Sequence, residues 1–474
     1  MTTAGAPLAC AVDGPGADAR RYALAELLRG LGLAPAWTPA GTAALYAGPH
    51  PEHAPPGALR FRTAGAPDRP ADPATVGWLD VGGLDARSLD ARGPDARGRD
   101  AGGRVPLPVG PAGTPAADPA RVVDADVLGS AFWWLAGVQE AATVRDAHGR
   151  FPFSASMQHA LGMGAAAPVD AYRRWLGAAL GALGHAVPGR TWGGAPWAVA
   201  LTHDLDAVHT PRLRALAGGI LHRDARRIRD ALGPDPRRAS VDALAALARR
   251  HGVRSTLFVK AVRAGAVGAG SPEDVPYRLH GAVGRRLRAL VDGGFEAGLH
   301  PGYASHDHAG RIAAERDRLA AAVGAAPRAV RSHFLRWTEP TTPRLYRQAG
   351  FEIDSTLGFA ESPGFRRGTA HPFRLWDTRA GRAADLWEMP LAAMDAALFT
   401  HLELSDDDAA ERLGDVLATA RRGGGCAVLL WHPAMDGNPA WSRRLDVLDH
   451  AVGQARRDGA AVGPLGTLLR AWVA

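Results

Sequence analysis

Lysine is almost absent from this chain. Of its 55 basic residues one is a lysine, Lys260, and all the others are arginine. With 58 glycines, 36 prolines and abundant alanine, this pattern matches a GC-rich coding bias. The formal charge of +7 is therefore not in itself the mark of a nucleic-acid binder. The arginines are also spread along the chain and form no stripe that would track phosphates, so no nucleic-acid partner is expected. Cysteine is scarce too. Cys10 and Cys426 form no CxxC pair, which excludes a cysteine zinc site and argues against a disulfide framework. Two free, buried thiols are expected. No apolar run reaches the roughly 18 residues that a membrane span needs. The opening MTTAGAPLACAVDGPGADARR lacks the basic start and long apolar core of a signal peptide, so a cytoplasmic location is expected. What is present is a 474-residue chain, 46% hydrophobic and 22% charged. That is enough for two or three domains with real cores, and too apolar for disorder throughout.

The first 80 or so residues alternate short apolar runs with helical patterns such as RRYALAELLRGLG, as in a small α/β unit. Asp85, Asp90, Asp95 and Asp100 then each precede an alanine. Four copies of so short a repeat cannot bury a core of their own, and the stretch from about 84 to 118 reads as a low-complexity loop. Phe132, Trp133, Trp134 and Trp175 fall on apolar helical faces and are expected in the core. PGRTWGGAPW, from Pro188, is a Gly/Pro junction. It divides the chain into residues 1–190 and residues 191–474. Beyond it come seven short β-like runs: WAVALTHD, RSTLFVK, FEAGLHPG, AVRSHF, FEIDSTLG, LWEMPLA and CAVLLWHP. Helical stretches separate them, three of which end in glycine. Alternating strands and helices point to parallel βα units, either an open sheet or a barrel.

Five of these runs end in residues able to bind a metal or move a proton. They are Thr202, His203, Asp204 and Asp206; His300; Arg331 and His333; Asp354; and His432. In βα barrels the C-terminal strand ends converge on one face. Asp204 and Asp206 are two apart and point to one side of a strand. Two carboxylates so close repel unless a cation neutralises one, so one would bind metal and the other act as base. His203, between them, points the other way and is expected to pack. Histidines with a carboxylate suit zinc or another divalent first-row ion with an open position for water. His432 would protonate a leaving amine, and Arg331 would hold the base carboxylate by a bidentate contact.

At these residues the sequence resembles the polysaccharide deacetylases, the NodB-homology or carbohydrate esterase 4 family, over about residues 197–472. LTHDLD resembles the family's first motif, EAGLHP the start of its second, VRSHFLR its arginine motif and LLWH its last. A bacterial branch with an extra N-terminal domain carries a GRFP segment, here Gly149–Pro152, together with DSTLGFA-like and PGFRxGT-like stretches. The resemblance implies a distorted (β/α)7 barrel preceded by a smaller α/β domain. It makes Asp204 the base, Asp206 and His300 metal ligands, Arg331 the residue that orients the base, and His432 the general acid. One departure stands out. The family's second motif has a further histidine four residues after the first, and position 304 is alanine here. His333 is the favoured replacement, His306 the second and His308 the weakest. Tyr303, Arg336, Asp354 and Arg366 are expected on the substrate cleft. SDDDAAER, from Ser405, reads as an acidic helix start, not a metal site.

The expected activity is metal-dependent removal of an N-acetyl group from an N-acetylated sugar or glycan precursor. The cofactor is a divalent ion, zinc first, with cobalt or nickel as alternatives. Two rival readings are hydrolysis of another non-peptide amide, such as an acetylated amine or cyclic ureide, and a glycan-binding protein with a degenerate metal site.

Overall fold

Parallel strands tied by short helical crossovers begin the chain. They are seen in a computed structural model that describes residues 5–63, 67–69, 71–73, 76–80, 104–109, 122–123, 125–141, 144–206, 208, 212–232, 236–262, 277–433 and 440–474. Strands β1 (Ala6–Val12), β2 (Leu33–Trp37), β3 (Leu45–Gly48) and β4 (Leu59–Arg62) are followed by β5 (Gly77–Asp80), β6 (Arg104–Leu107) and β7 (Val122–Val123). Five of them form a parallel sheet in the order β2-β1-β3-β4-β7, and β5 pairs with β6 antiparallel. Strand β6 falls inside the stretch read as a low-complexity loop. The Asp85, Asp90, Asp95 and Asp100 repeat lies outside the described residues. Helix α1 (Ala17–Gly30) makes the crossover between β1 and β2.

Helix α2 (Val127–Leu135) starts at Asp126, whose side chain accepts from the Gly129 N–H. The same carboxylate takes the buried Arg20 guanidinium, Nε at 3.0 Å. Phe132, Trp133 and Trp134 on this helix are buried, as is Trp175 on α4 (Pro168–Ala182), which follows the short α3 (Met157–Ala160). Cys10 and Cys426 are free and buried, as their number suggested.

The second half follows the expected alternation. In chain order it runs β8 (Ala198–Leu205), α5 (Arg212–Leu221), α6 (Ala225–Leu232), α7 (Pro236–Arg250), β9 (Thr256–Lys260), α8 (Gly281–Asp292), β10 (Glu296–His300), α9 (Ala309–Val323), β11 (Ala329–Val330), α10 (Thr341–Gln348) and β12 (Ile353–Asp354). It continues through β13 (Phe373–Asp377), β14 (Arg382–Glu388), β15 (Leu391–Met394), α11 (Asp406–Gly423), β16 (Cys426–Leu430), α12 (Trp441–Arg457), β17 (Ala461–Gly463) and α13 (Leu465–Val473). Gly294, Gly324 and Gly350, at or just past three helix ends, take left-handed φ values of 88°, 80° and 83°. Ser405 caps α11 by accepting from the Asp408 N–H. Among the described residues no helix is long and apolar enough to cross a membrane.

The strand order is β13-β14-β12-β11-β10-β9-β8-β16-β15, with β17 also paired to β8. Within this sheet, among the described residues, β13 with β14 is the one antiparallel pair. The sixth expected run, LWEMPLA, is split in two. Pro390 lacks the N–H that a continuing ladder needs. The part before it pairs with β12 and the part after it with β16. Strands β14 and β15 thus belong to opposite margins of the sheet, yet only Met389 and Pro390 separate them. The sheet must curl until its margins meet, and the chain itself, not a ladder, makes the join. The hairpin of β13 with β14 and the strand β17 were not anticipated.

The two halves share their core. One apolar cluster joins Leu8, Leu27, Trp134 and Tyr172 to Leu257, Leu299 and Val330. Glu140, just after α2, is buried against Arg366 Nε (3.0 Å) and Arg367 Nε (3.1 Å). Burial alone would raise its carboxyl, but the two guanidiniums outweigh that and lower it. Removing the carboxylate takes the ion-pair partner from buried Arg366 and leaves Arg367 only its longer contact with Glu339 Oε1 at 3.4 Å. Glu140→Ala is therefore expected to destabilise the protein by about 3–5 kcal/mol, measured by urea unfolding. A loss below about 1 kcal/mol would mean that the pair behaves like an exposed one.

Candidate active site

Strand β8 is buried along its whole length, and its alternation sorts its polar residues. His203 turns away from Asp204 and its Nδ1 bonds the Trp431 carbonyl at 2.9 Å. Burial pushes its pKa down to about 4, so it is a neutral packed residue, as its position implied. Asp204 faces inward, and its Oδ1 accepts from Arg331 Nη1 at 3.1 Å. That contact is single, where a bidentate one was expected. Three other N–H groups of Arg331 go to Thr202 Oγ1 (2.8 Å), the Ser355 carbonyl (2.8 Å) and Ser355 Oγ (2.9 Å). The guanidinium also lies over the Phe258 ring, 4.4 Å from its centroid. Arg331 is thereby locked, and Asp204 with it.

Asp206, just past the end of β8, gathers three nitrogens on one oxygen. Its Oδ1 lies 3.3 Å from His333 Nε2, 3.4 Å from His300 Nε2 and 3.1 Å from Lys260 Nζ. Bonds of about 2.1 Å to a tetrahedral ion would put neighbouring donor atoms about 3.4 Å apart. The Asp206, His300 and His333 donors therefore fit a small divalent ion, and all lie within 4.8 Å of one another. The charge states of Asp206 and His333 suit it too. Burial would raise the Asp206 carboxyl, but Lys260 and the close nitrogens of His300 and His333 outweigh it and hold it well below the usual carboxylate range. Burial pushes His333 down to about 4, which keeps its imidazole neutral. His300 Nδ1 bonds the Arg331 carbonyl at 2.7 Å, which turns Nε2 toward Asp206.

His333 does not sit on a strand, as expected, but on a 3-10 turn, His333–Leu335. Strand β11 stops after two residues because the next groups bond side chains. The Ser332 N–H, for instance, donates to Thr356 Oγ1 at 3.0 Å. Phe334 and Leu335 hold left-handed φ values of 58° and 54°, and such strain persists only where the surroundings enforce it. Those surroundings include the segment beside GRFP. The His148 ring packs against Phe334 at 4.6 Å, and Arg150 Nη1 donates to the Phe334 carbonyl at 3.3 Å. His306 is buried but outside the Asp206 group. His308 caps α9, where it accepts from the Arg311 N–H. His333→Ala is accordingly expected to lose stoichiometric zinc and His306→Ala to keep it, by elemental analysis of the purified proteins. The reverse result would transfer the ligand to the loop.

His432 faces the group from β16, with Nε2 4.0 Å from Asp206 Oδ2. Its Nδ1 pairs with Asp395 Oδ1 at 2.6 Å, and its backbone N–H donates to Asp395 Oδ2 at 3.0 Å. Burial would lower the imidazole, but Asp395 first, then Asp206 and Asp204, raise it to about 9. Asp395 was missed in the sequence, although it directly follows β15 and obeys the same strand-end rule. Lys260 was missed as well. It is the last residue of β9, and its rarity was read only as coding bias.

Two expected cleft residues lie elsewhere. Arg366 is buried, and its guanidinium bonds Glu140 and the Gly358 carbonyl. Asp354 is fully buried, bonded to Thr356 Oγ1 (2.6 Å). Burial raises the Asp354 carboxyl, and burial with the Asp354 charge raises Glu388 well above the usual carboxylate range. Tyr303 and Arg336 are half-buried. Arg336 stacks on the Tyr303 ring at 4.2 Å and donates to the carbonyls of Tyr303 (2.7 Å) and His148 (3.1 Å). Tyr303 Oη meets His148 Nδ1 at 3.1 Å. These contacts make a wall beside His333.

A family model described as a family of unknown function (DUF7033) matches residues 106–184. No curated protein matches the chain. Among solved structures, the chain is similar to a Mycobacterium smegmatis protein described as a polysaccharide deacetylase. The identity is 22%, the match covers 59% of this chain and 91% of that one, and the TM-score is 0.42. It is similar to PuuE allantoinase at 16% identity, over 59% of this chain and 92% of that one, with a TM-score of 0.41. A family 4 carbohydrate esterase from Streptomyces lividans, in complex with acetate, is 15% identical over 57% of this chain and all of that one, with a TM-score of 0.29.

Proposed function

We propose that this chain is a metal-dependent hydrolase that removes the N-acetyl group from an N-acetylated sugar or glycan precursor and releases acetate. It would belong with the polysaccharide deacetylases. Residues 191–474 would form the distorted (β/α)7 barrel that carries the chemistry, and residues 1–190 a smaller α/β domain against it. One observation carries the reading. The Asp206, His300 and His333 donors, the Arg331-held Asp204 and the Asp395-paired His432 all face one space at the strand ends.

Each residue has a task in this reaction. Asp206, His300 and His333 would hold the ion. When bound, it supplies Lewis acidity toward an acyl oxygen and lowers the pKa of water. Asp204 takes the proton of the attacking water, and Arg331 keeps its carboxylate in place. His432, cationic through neutral pH, donates a proton to the departing nitrogen. Tyr303 and Arg336 form a side wall for the sugar. A cytoplasmic precursor fits better than wall-bound glycan, and activity confined to exported, wall-bound glycan would overturn that location.

The test is acetate release by the zinc-loaded protein from a panel of N-acetyl sugars, acetylated polyamines and cyclic ureides. Release from the sugars alone supports the proposal. Turnover of another amide alone would overturn the substrate class. Glycan binding without turnover by a metal-loaded protein would overturn the hydrolase reading itself.

A further inference from the structure

In a chain that uses arginine at every other basic position, the single lysine sits in the candidate active site. Lys260 ends β9, in register with His300 on β10. Its side chain is only 4% exposed, and its Nζ is 3.1 Å from Asp206 Oδ1, the same oxygen that faces both histidines. A planar, forked guanidinium cannot replace a compact ammonium that converges on one oxygen beside two imidazoles. The position thus demands a point charge of this size, whatever the coding bias.

We propose that Lys260 is a built-in cation that competes with a divalent metal ion for Asp206. The inference rests on the metal-site reading above and adds a regulator of it. Without an ion the ammonium neutralises the Asp206 carboxylate, which would otherwise be a charge among buried groups. An arriving ion meets a ligand oxygen that is already paired and a positive charge within a few ångströms. Both effects weaken metal binding. The chain therefore holds its metal less tightly than the three ligands alone would, and the ion must loosen the Lys260 ammonium from Asp206 to enter. Lys260 is a positioning residue for Asp206 and needs no contact with substrate.

The experiment measures zinc affinity by competition with a chelating dye, and the cobalt absorption spectrum, for the full-length wild type, Lys260→Met and Lys260→Gln. His300→Ala reports whether the signal comes from this site, and thermal melting reports folding. The expected result is zinc binding tighter by about 10–100-fold in Lys260→Met and Lys260→Gln. Equal or weaker binding in the folded variants would overturn the proposal alone. No zinc binding by the wild type or by either variant would overturn the metal-site reading itself. A second measurement uses the wild-type chain and needs no variant. Because Lys260 is the only lysine, an amine-reactive reagent has one side-chain target, located by peptide mass spectrometry. Bound zinc should speed its labelling as the ammonium leaves Asp206, and unchanged labelling with zinc bound would overturn the proposal.

Discussion

Asp204→Asn should slow acetate release by about a thousandfold while leaving zinc stoichiometry unchanged. The geometry separates these two outcomes. Asp204 is bound to Arg331, whereas the donors gathered for a metal are Asp206, His300 and His333. Asparagine keeps the shape and can still accept from Arg331 Nη1, so the locked guanidinium should stay where it is. What is lost is the capacity to take a proton from water. Metal content, melting temperature and single-turnover rate measured together distinguish this from collapse of the site. Turnover within tenfold of wild type would refute Asp204 as the base. A variant that also lost its zinc would make Asp204 a ligand instead.

The second large effect is expected at Asp395, and it is a change in pH dependence. His432 is raised to about 9, with Asp395 the leading cause of the rise against the opposing effect of burial. A general acid must be protonated to act, so it works below its pKa and fails above it. In the wild type the alkaline limb of the rate profile should therefore lie on the basic side of neutrality. Asp395→Asn removes the main anion and leaves burial, which disfavours the charged imidazole. The pKa must fall, and the alkaline limb must move to lower pH. At pH 8 the variant should lose about a hundredfold in rate, with part of it recovered toward pH 6. An unmoved limb with a uniformly lower rate would reduce Asp395 to a structural tether of His432.

Much of this site was legible in the sequence because parallel βα units leave little freedom. Once WAVALTHD, FEAGLHPG and CAVLLWHP are read as strands, their last residues must share a face. Asp204, Asp206, His300 and His432 needed nothing more. His203 was sorted correctly by the two-residue period alone. His333 was chosen for a strand and reached the site from a strained turn, which the spacing of two from Arg331 does not distinguish. Asp354 and Arg366 failed for the opposite reason. Their neighbours in sequence look like cleft residues, but partners more than 30 residues away, Glu388 and Glu140, bury them.

Local residue patterns set the alternation of strands and helices, the order of the strand-end motifs and the polar face they must form. These depend on residue periods of two and 3.6, which are local. The three-dimensional fold sets where the sheet closes, at Pro390. It alone revealed that His148 and Arg150 brace the turn of His333, that Asp395 raises His432, and that the one lysine pairs with Asp206. Each of these is a contact between residues tens or hundreds apart in the chain. Its energy depends on distance and burial, and neither is written in the spacing of residues along the chain.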